Sequence, residues 1–180
     1  MLQIVDVELT PNPHALKFVL NEKLLEFESR NYKSLDEVGE DLWVKDIFNL
    51  EGVESVFYME KFITIEKKPE SQWGGIQRGL ISIIKNLDKS KILPEKEIPE
   101  EEISENELLQ KINLIIDQKV RPALANDGGG LKIMGLDGYR LKVRYQGACG
   151  SCPSATRGTL AAIENLLRRD VSPSIVVIPD

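Results

Sequence analysis

Hydrophobic and polar residues recur along the first half of the chain in patterns that predict short strands and amphipathic helices. Ser34 and Glu37 form the capping-box pattern of a helix whose apolar positions continue until Gly52 stops them. A second helix is predicted to begin at Ser71, with apolar residues at helical spacing as far as Leu87. The predicted strands are 15–20, 24–28, 53–58 and 62–66. These elements favour two helices packed on one face of a small antiparallel sheet.

The second half of the chain gives a different order of elements. A capping box from Ser104 to Glu107 opens a helix, and Pro122 is predicted to kink or end it before the glycine-rich residues 127–130. The other predicted elements are a hairpin of 131–135 and 139–146, a helix of 153–169 and a strand of 175–178. This α-β-β-α-β order indicates a second two-layer domain, so the predicted fold class is α+β with two small domains.

The second strand of that hairpin alternates between apolar and polar side chains. Alternation with a period of two places one set of residues against the core and the other set in water. The residues predicted to be buried are Tyr139, Leu141, Val143 and Tyr145, and those predicted to face water are Arg140, Lys142, Arg144 and Gln146. One face of this sheet is therefore expected to be solvated and basic.

Charge and proline content divide the 180 residues into two domains and a linker. Residues 1–87 carry a net charge of −5 and residues 105–180 a net charge of +2, within a total of −6. The segment between them, 88–104, holds two prolines and a run of three glutamates. Because proline and like charges extend a chain, this segment is predicted to be a linker.

Composition also excludes several classes of protein. No apolar run reaches the roughly 18 residues of a membrane span, and the first residues do not have the pattern of a secretory signal. A cytoplasmic protein with no membrane partner is therefore expected. A His-rich metal site cannot be built from the single histidine, His14, and a Ser-His-Asp or Cys-His catalyst would have to use this one residue. His14 follows Thr10-Pro11-Asn12-Pro13, so it is interpreted as a turn residue.

The two cysteines of the chain, Cys149 and Cys152, are the candidate reactive residues. Both precede Pro153, which suits the first position of a helix because its missing N–H has no partner to lose there. The positive end of that helix would lower the pKa of the thiols and favour thiolate, which binds metals and attacks disulfides. Gly147 and Gly150 permit a backbone turn in which N–H groups can face the sulfurs.

The residues alone leave four interpretations of this cysteine pair. It could be a redox couple, half of a zinc site, half of an iron-sulfur ligand set, or two inert buried cysteines. A thioredoxin-like redox couple is expected on a βαβ unit of a larger sheet, whereas an antiparallel hairpin precedes this pair. A zinc ion or a cubane cluster takes about four protein ligands, so either would require two chains or an external thiol.

Several short motifs occur together in this chain. In the second half they are Val120-Arg121-Pro122, Asp127-Gly128-Gly129, Gln146-Gly147-Ala148-Cys149, Cys152-Pro153-Ser154 and Ile163-Glu164-Asn165. In the first half they are Thr10-Pro11-Asn12-Pro13, Ala15-Leu16-Lys17-Phe18, Glu51-Gly52-Val53, Ser55-Val56-Phe57 and Phe62-Ile63-Thr64. With these motifs the second half resembles the NifU-like domain of the Nfu family of iron-sulfur cluster scaffold and carrier proteins. The first half resembles the N-terminal domain of the same family.

The resemblance implies a non-enzymatic carrier with no catalytic residues. In the family, a homodimer holds an iron-sulfur cluster between two C-x-x-C pairs and delivers it to apo-proteins. Carried over to this sequence, Cys149 and Cys152 are the metal and cluster ligands. The expected cluster is 4Fe-4S, with 2Fe-2S as the alternative, and the expected partners are apo iron-sulfur clients and the upstream assembly machinery. Gly130 departs from the pattern, because an acidic residue often follows Asp-Gly-Gly in the family, and Asp127 is interpreted as a turn cap.

The basic strand face and the first domain have more open interpretations. Arg140, Lys142 and Arg144, with Arg157 near the cysteines, could offset the charge of a cluster, meet an acidic client, or simply be solvated. Nucleic acid is not an expected partner, because the domain has a net charge of only +2 and no aromatic platform on this side. The acidic first domain is interpreted as a docking or regulatory module.

Overall fold

The computed structural model describes residues 1–26, 28–95, 107–148 and 153–180, with only the backbone described for 153–157. The chain divides after residue 96 into two compact units, each with its own hydrophobic core. Both units combine helices with a sheet, which confirms the α+β class.

The first unit contains a five-stranded antiparallel sheet and two helices. Its sheet has the strand order β1-β2-β5-β4-β3. The strands are β1 (Ile4–Leu9), β2 (Ala15–Leu20), β3 (Ser29–Tyr32), β4 (Val53–Met59) and β5 (Phe62–Lys67), and the helices are α1 (Leu42–Phe48) and α2 (Trp73–Asn86). Strand β2 has the predicted bounds, and the predicted hairpin is present, with β4 and β5 each one residue longer than predicted.

The core of the first unit lies between the sheet and its two helices. Val56, Ile63 and Ile65 project from the sheet and are fully buried, as are Ile47 of α1 and Leu80 of α2. Both helices therefore cover the same face of the sheet, as the apolar stripes predict.

Two local predictions for the first unit are wrong. The predicted strand over 24–28 is not a strand in its described residues, because the chain pairs with β4 only from Ser29, opposite Met59. The predicted helix from Ser34 is a short 3-10 turn, and α1 begins only at Leu42. The break falls where Gly39 has a φ of +58°, a left-handed conformation that a helix cannot contain.

The ends of the first unit also differ from the pattern analysis. No strand is predicted before Ala15, yet β1 pairs with β2 at the edge of the sheet. Its apolar residues Val5, Val7 and Leu9 remain exposed, so β1 forms through backbone pairing and little burial. Residue Trp73 begins α2, two positions after the predicted start.

The segment predicted to be a linker, 88–104, contacts the first unit over its described part, 88–95. Ile92 packs against the core, while Arg30 and Glu95 join this segment to the strand region by side-chain hydrogen bonds. The guanidinium of Arg30 donates to the carbonyls of Leu93 and Pro94. The carboxylate of Glu95 accepts hydrogen bonds from the amides of Glu26 and Glu28. The remainder, 96–104, lies outside the described residues.

A buried carboxylate organises the side of the first unit next to α1. Asp41 is fully buried, and its Oδ2 accepts hydrogen bonds from the hydroxyls of Tyr58 at 2.5 Å and Tyr32 at 2.9 Å. The guanidinium of Arg30 lies 3.9 Å from the same oxygen. Burial, together with the adjacent Asp41 carboxylate, raises the pKa of both tyrosines, because a phenolate there would be desolvated and next to a like charge.

We expect the first unit to lose stability as the pH rises through about 10, the ordinary tyrosine pKa. The folded-state pKa of Tyr32 and Tyr58 is raised, so the unfolded chain releases these protons first, and its free energy falls relative to that of the folded state. Urea midpoints followed by tryptophan fluorescence between about pH 8 and 11 measure this effect. A variant with both tyrosines replaced by phenylalanine is the control, and an equally steep decline in that variant would contradict the explanation.

The second unit has the predicted order of elements. Its sheet has the strand order β6-β7-β8, in which β6 and β7 are antiparallel and β8 runs parallel to β7. The elements are α3 (Glu107–Ile115), α4 (Arg121–Asn126), β6 (Gly129–Asp137), β7 (Arg140–Gly147), α5 (Pro153–Asp170) and β8 (Val176–Pro179). The predicted capping residue Ser104 lies outside the described residues.

The predicted kink before the glycine-rich turn is present as a π turn. This turn, Ile116–Val120, joins α3 to α4, and Pro122 lies in the first turn of α4. Ile112 and Ile116 on these helices are fully buried against Leu141 and Val143 of the sheet. One face of the sheet is thereby covered by helices.

No helix in the described part of the chain has the length and apolar character needed to cross a lipid bilayer.

Candidate functional site

Both predicted ligand residues, Cys149 and Cys152, lie outside the described residues. The described chain stops on one side at Ala148, which directly follows β7, and resumes at Pro153, the first residue of α5. The start of α5 at Pro153 agrees with the prediction from sequence. By the sequence, the cysteines therefore belong to the four residues 149–152, which connect Ala148, the residue after β7, to the start of an 18-residue helix.

The strand end that leads into this connection is held by the glycine turn before β6. Gly129 pairs with Gly147 in the sheet, and the amide of Ala148 donates to the carbonyl of Gly128 at 3.2 Å. Gly128 has a φ of +73°, a conformation that other residues adopt only with strain. The motif Asp127-Gly128-Gly129 therefore has a structural role next to the cysteine connection, and the backbone of Asp127 ends α4 as expected of a cap.

Arg121, at the start of α4, forms hydrogen bonds with the strand that follows the glycine turn and with the preceding π turn. Its Nη1 donates to the carbonyl of Leu131 in β6 at 2.7 Å, and its Nε donates to Asp117 at 2.5 Å. The sequence gives Arg121 only as part of a motif and does not indicate these partners, which lie on different elements. Arg121 thus links the start of α4 to the strand that carries the glycine turn.

We expect the substitution Arg121→Met to lower the free energy of unfolding of the second unit by about 1–2 kcal/mol, because it removes a charged hydrogen bond to a backbone carbonyl. The two tryptophans are Trp43 and Trp73, so fluorescence follows only the first unit, and the change should appear in circular dichroism alone. The control is Lys111→Met, at an exposed residue of α3. Equal unfolding curves for the two variants would show that Arg121 adds nothing measurable.

The predicted alternation of β7 is confirmed in its middle and is wrong at its ends. Leu141 and Val143 are fully buried and Tyr145 is 7% exposed, while Arg140, Lys142 and Arg144 are exposed. The two exceptions are Tyr139, which precedes the strand and is 50% exposed, and Gln146, which is 7% exposed. Gln146 lies opposite Gly130, at the end of the sheet next to the glycine turn.

Lys132 also belongs to the basic face, although the alternation along β7 does not predict it. The register between β6 and β7 shifts between Ile133 and Gly135, so that Lys132 lies opposite Arg144. Without this bulge, counting back from the Asp137-Gly138 turn would put Lys132 on the buried face. The cue in the sequence is that Leu131 and Ile133 need the buried face. The side chain of Arg157, also assigned to this region, lies outside the described residues.

The turn that contains His14 is a packing element. Thr10 Oγ1 donates to the carbonyls of Asn12 and Ala15 at 2.9 and 3.0 Å, and the side-chain amide of Asn12 donates to Glu66 at 2.8 Å. The backbone amide of His14 donates to Asn12 Oδ1 at 2.9 Å. Among the described residues there is no cluster of three or more His, Cys, Asp or Glu side chains that could hold a metal ion.

Two family models match the chain and together span most of it. The model described as "Scaffold protein Nfu/NifU N terminal" matches residues 5–91, and the model described as "NifU-like domain" matches residues 112–178. The two matches correspond to the first and second structural units.

Curated relatives match along both units. A Drosophila willistoni protein named "NFU1 iron-sulfur cluster scaffold homolog, mitochondrial" is 31% identical over 170 residues, covering 91% of this chain and 59% of the relative. The human protein of the same name is 28% identical over 171 residues, covering 91% and 66%. "NifU-like protein 5, mitochondrial" of Arabidopsis thaliana is 26% identical over 177 residues, covering 93% and 64%. The chain thus spans about three fifths to two thirds of these relatives' lengths.

Solved structures are similar to part of the chain. The crystal structure of SAV1430 from Staphylococcus aureus has 26% sequence identity and a TM-score of 0.40, covering 45% of this chain and 96% of that one. The solution structure of a NifU-like protein from Saccharomyces cerevisiae has 29% identity and a TM-score of 0.41, covering 46% and 73%.

Proposed function

The chain belongs to the Nfu/NifU family, whose members are named iron-sulfur cluster scaffolds, and on this premise we propose that it carries a cluster on Cys149 and Cys152. The observation that supports this most directly is the fold on either side of the cysteine connection. Strand β7 ends at Gly147 and helix α5 begins at Pro153, so the chain enters and leaves this connection through fixed elements. The cluster is the cargo of this protein, and no catalytic residue is proposed.

The number of thiols determines the proposed assembly. A 4Fe-4S cluster takes about four cysteine thiolates, and one chain supplies two. We therefore assign one 4Fe-4S cluster to a homodimer, with a 2Fe-2S cluster as the alternative. The positive end of the α5 dipole favours thiolate over thiol at the adjacent positions, which is the form that binds iron.

Incomplete ligation by each chain also explains how the cluster could leave. A thiolate of an apo iron-sulfur client can replace one scaffold thiolate at a time, with an iron-sulfur bond forming to the client as one to the scaffold breaks. A cage of four cysteines from a single chain would have to be opened within one rigid site. The proposed function is thus transfer of a preformed cluster to apo-proteins, after loading by an upstream assembly system.

Two further parts of the proposal concern location and the first unit. Free thiols persist in reducing compartments, and we propose the cytoplasm on that basis, although the relatives above are named mitochondrial. We assign the first unit a docking or regulatory role, because its described residues form no candidate metal cluster and it folds around its own core.

Anaerobic reconstitution with ferrous iron and sulfide tests the proposal. The expected result is one cluster per pair of chains, measured by iron and sulfide content and by the native mass of the loaded protein. Stoichiometric zinc in protein purified without oxygen, unmoved by iron loading, would favour a zinc-bridged interaction module instead. Disulfide reduction at catalytic rates that depends on Cys149, with no iron uptake, would favour a thiol-disulfide oxidoreductase.

A further inference from the structure

The second unit has a sheet face that its helices do not cover, and this outer face is basic. Arg140, Lys142 and Arg144 follow one another at alternate positions of β7, and all three are exposed while Leu141 and Val143 between them are fully buried. At about 3.3 Å per residue, their Cα atoms form a row of about 13 Å. Lys132 of β6 widens the row, because it lies opposite Arg144 on the same face.

Three of the four cations on the outer face form no ion pair with a described residue. Arg144 forms an ion pair with Asp180. Lys132, Arg140 and Lys142 have no ion pair with a described residue. Asp137 lies opposite Arg140 in the register but forms no ion pair with it among the described residues. A binding partner could therefore pair with three of these cations without breaking an existing salt bridge.

The shape of the outer face suits a flat contact. Gly135 lies opposite Lys142, and the space where its side chain would project is open to at least 4 Å. Val176 of β8 is 36% exposed and lies beside Arg140 in the parallel register. Exposed cations around a small, open apolar area are typical of a polar protein interface. In such an interface, complementary charges select the partner.

We propose that the outer face binds an acidic surface of the apo-protein that receives the cluster, an inference that rests on the proposed function. The row of cations runs along β7 toward Gly147, and the cysteine connection begins two residues beyond it. A client bound along this row would thus lie beside the proposed cluster ligands. A second copy of this chain that docked through the same face is a poor occupant, because like charges would then face each other. The row is also short for a nucleic acid, which presents a continuous line of phosphates.

The test uses the full chain without cluster, so that it does not depend on cluster loading. The probe is a synthetic peptide with a run of glutamates. The same peptide with glutamines in place of the glutamates is the uncharged control. We expect the glutamate peptide to bind, to weaken as salt is raised, and to bind about tenfold more weakly to Lys142→Glu. Lys111→Glu makes the same charge change at an exposed residue of α3 and should bind as the unchanged protein does.

A second measurement connects binding to transfer. With cluster-loaded protein and an acidic apo-ferredoxin, Lys142→Glu should slow transfer severalfold at low salt and leave the amount of bound cluster unchanged. Equal peptide binding by Lys142→Glu and Lys111→Glu would overturn the surface assignment, even if clusters load normally. Tighter binding of a single-stranded oligouridine, lost in Lys142→Glu, would overturn the choice of a protein partner. Failure of cluster loading in the unchanged protein would reject the proposed function and leave the peptide result standing.

Discussion

Replacing both Cys149 and Cys152 with serine is expected to abolish cluster binding and the proposed cluster-bridged dimer. A serine hydroxyl stays protonated at neutral pH, so it is a much weaker iron ligand than a thiolate. The chain has no other cysteine, and the rest of its described residues offer no alternative metal cluster. The loss should therefore be complete. Charge-transfer absorption after anaerobic reconstitution and the native mass of the protein measure the two effects.

The matched control is Ser151→Ala, which alters the residue beside Cys152 and leaves both thiols in place. This variant should load cluster as the unchanged protein does. Each single substitution, Cys149→Ser or Cys152→Ser, leaves half of the thiols and should give a weak or short-lived cluster. Retention of both absorption and dimer by the double variant, with normal circular dichroism, would reject the ligand assignment.

The substitution Asp41→Ala is expected to destabilise the first unit by about 3–5 kcal/mol, the range for removing one partner from a buried charged network. It would leave the hydroxyls of Tyr32 and Tyr58 without their acceptor and Arg30 without the nearby carboxylate. Asp41 precedes α1, but its side chain makes no capping hydrogen bond there, so loss of a helix cap would not explain the effect.

Urea unfolding followed by fluorescence measures this change well, because both tryptophans of the chain, Trp43 and Trp73, belong to the first unit. Tyr32→Phe removes one of the two hydroxyl donors and should cost about 1 kcal/mol. Asp41→Asn keeps an acceptor oxygen and should fall between the two. If Asp41→Ala cost no more than Tyr32→Phe, the network would not be the stabilising feature that its burial indicates.

Elements defined by local patterns agree best with the structure. The strand predicted over Ala15–Leu20 is β2 with its observed bounds, and Pro153 gives the start of α5. The predicted helix from Ser34 fails because a capping box describes only four residues, whereas Gly39 turns the chain away five residues later. Strand β1 has no recognisable pattern in the sequence because three of its four apolar residues are exposed and it is held mainly by pairing with β2.

The candidate site divides in the same way. The sequence identifies Cys149 and Cys152 by residue type and spacing, and their assignment as ligands stays a prediction because they lie outside the described residues. The roles of Arg121 and Lys132 depend on partners that are remote in sequence: Arg121 on Leu131, and Lys132 on the bulge that sets it opposite Arg144. No local pattern indicates the partner of Arg121, and the apolar neighbours of Lys132 indicate its face of the sheet without indicating that it lies opposite Arg144.

By itself, the sequence determined the α+β class, the order of elements in the second unit and the C-x-x-C pair of cysteines, because each follows from residue type and local periodicity. The tertiary structure decided which residues these elements bring together. In the structure, Asp41 is buried against two tyrosines and residues 88–95 contact the first unit. Four cations lie on one face of the second sheet. The physical reason is that burial and strand register depend on the partner element, and a residue's own neighbours in the chain do not specify that partner.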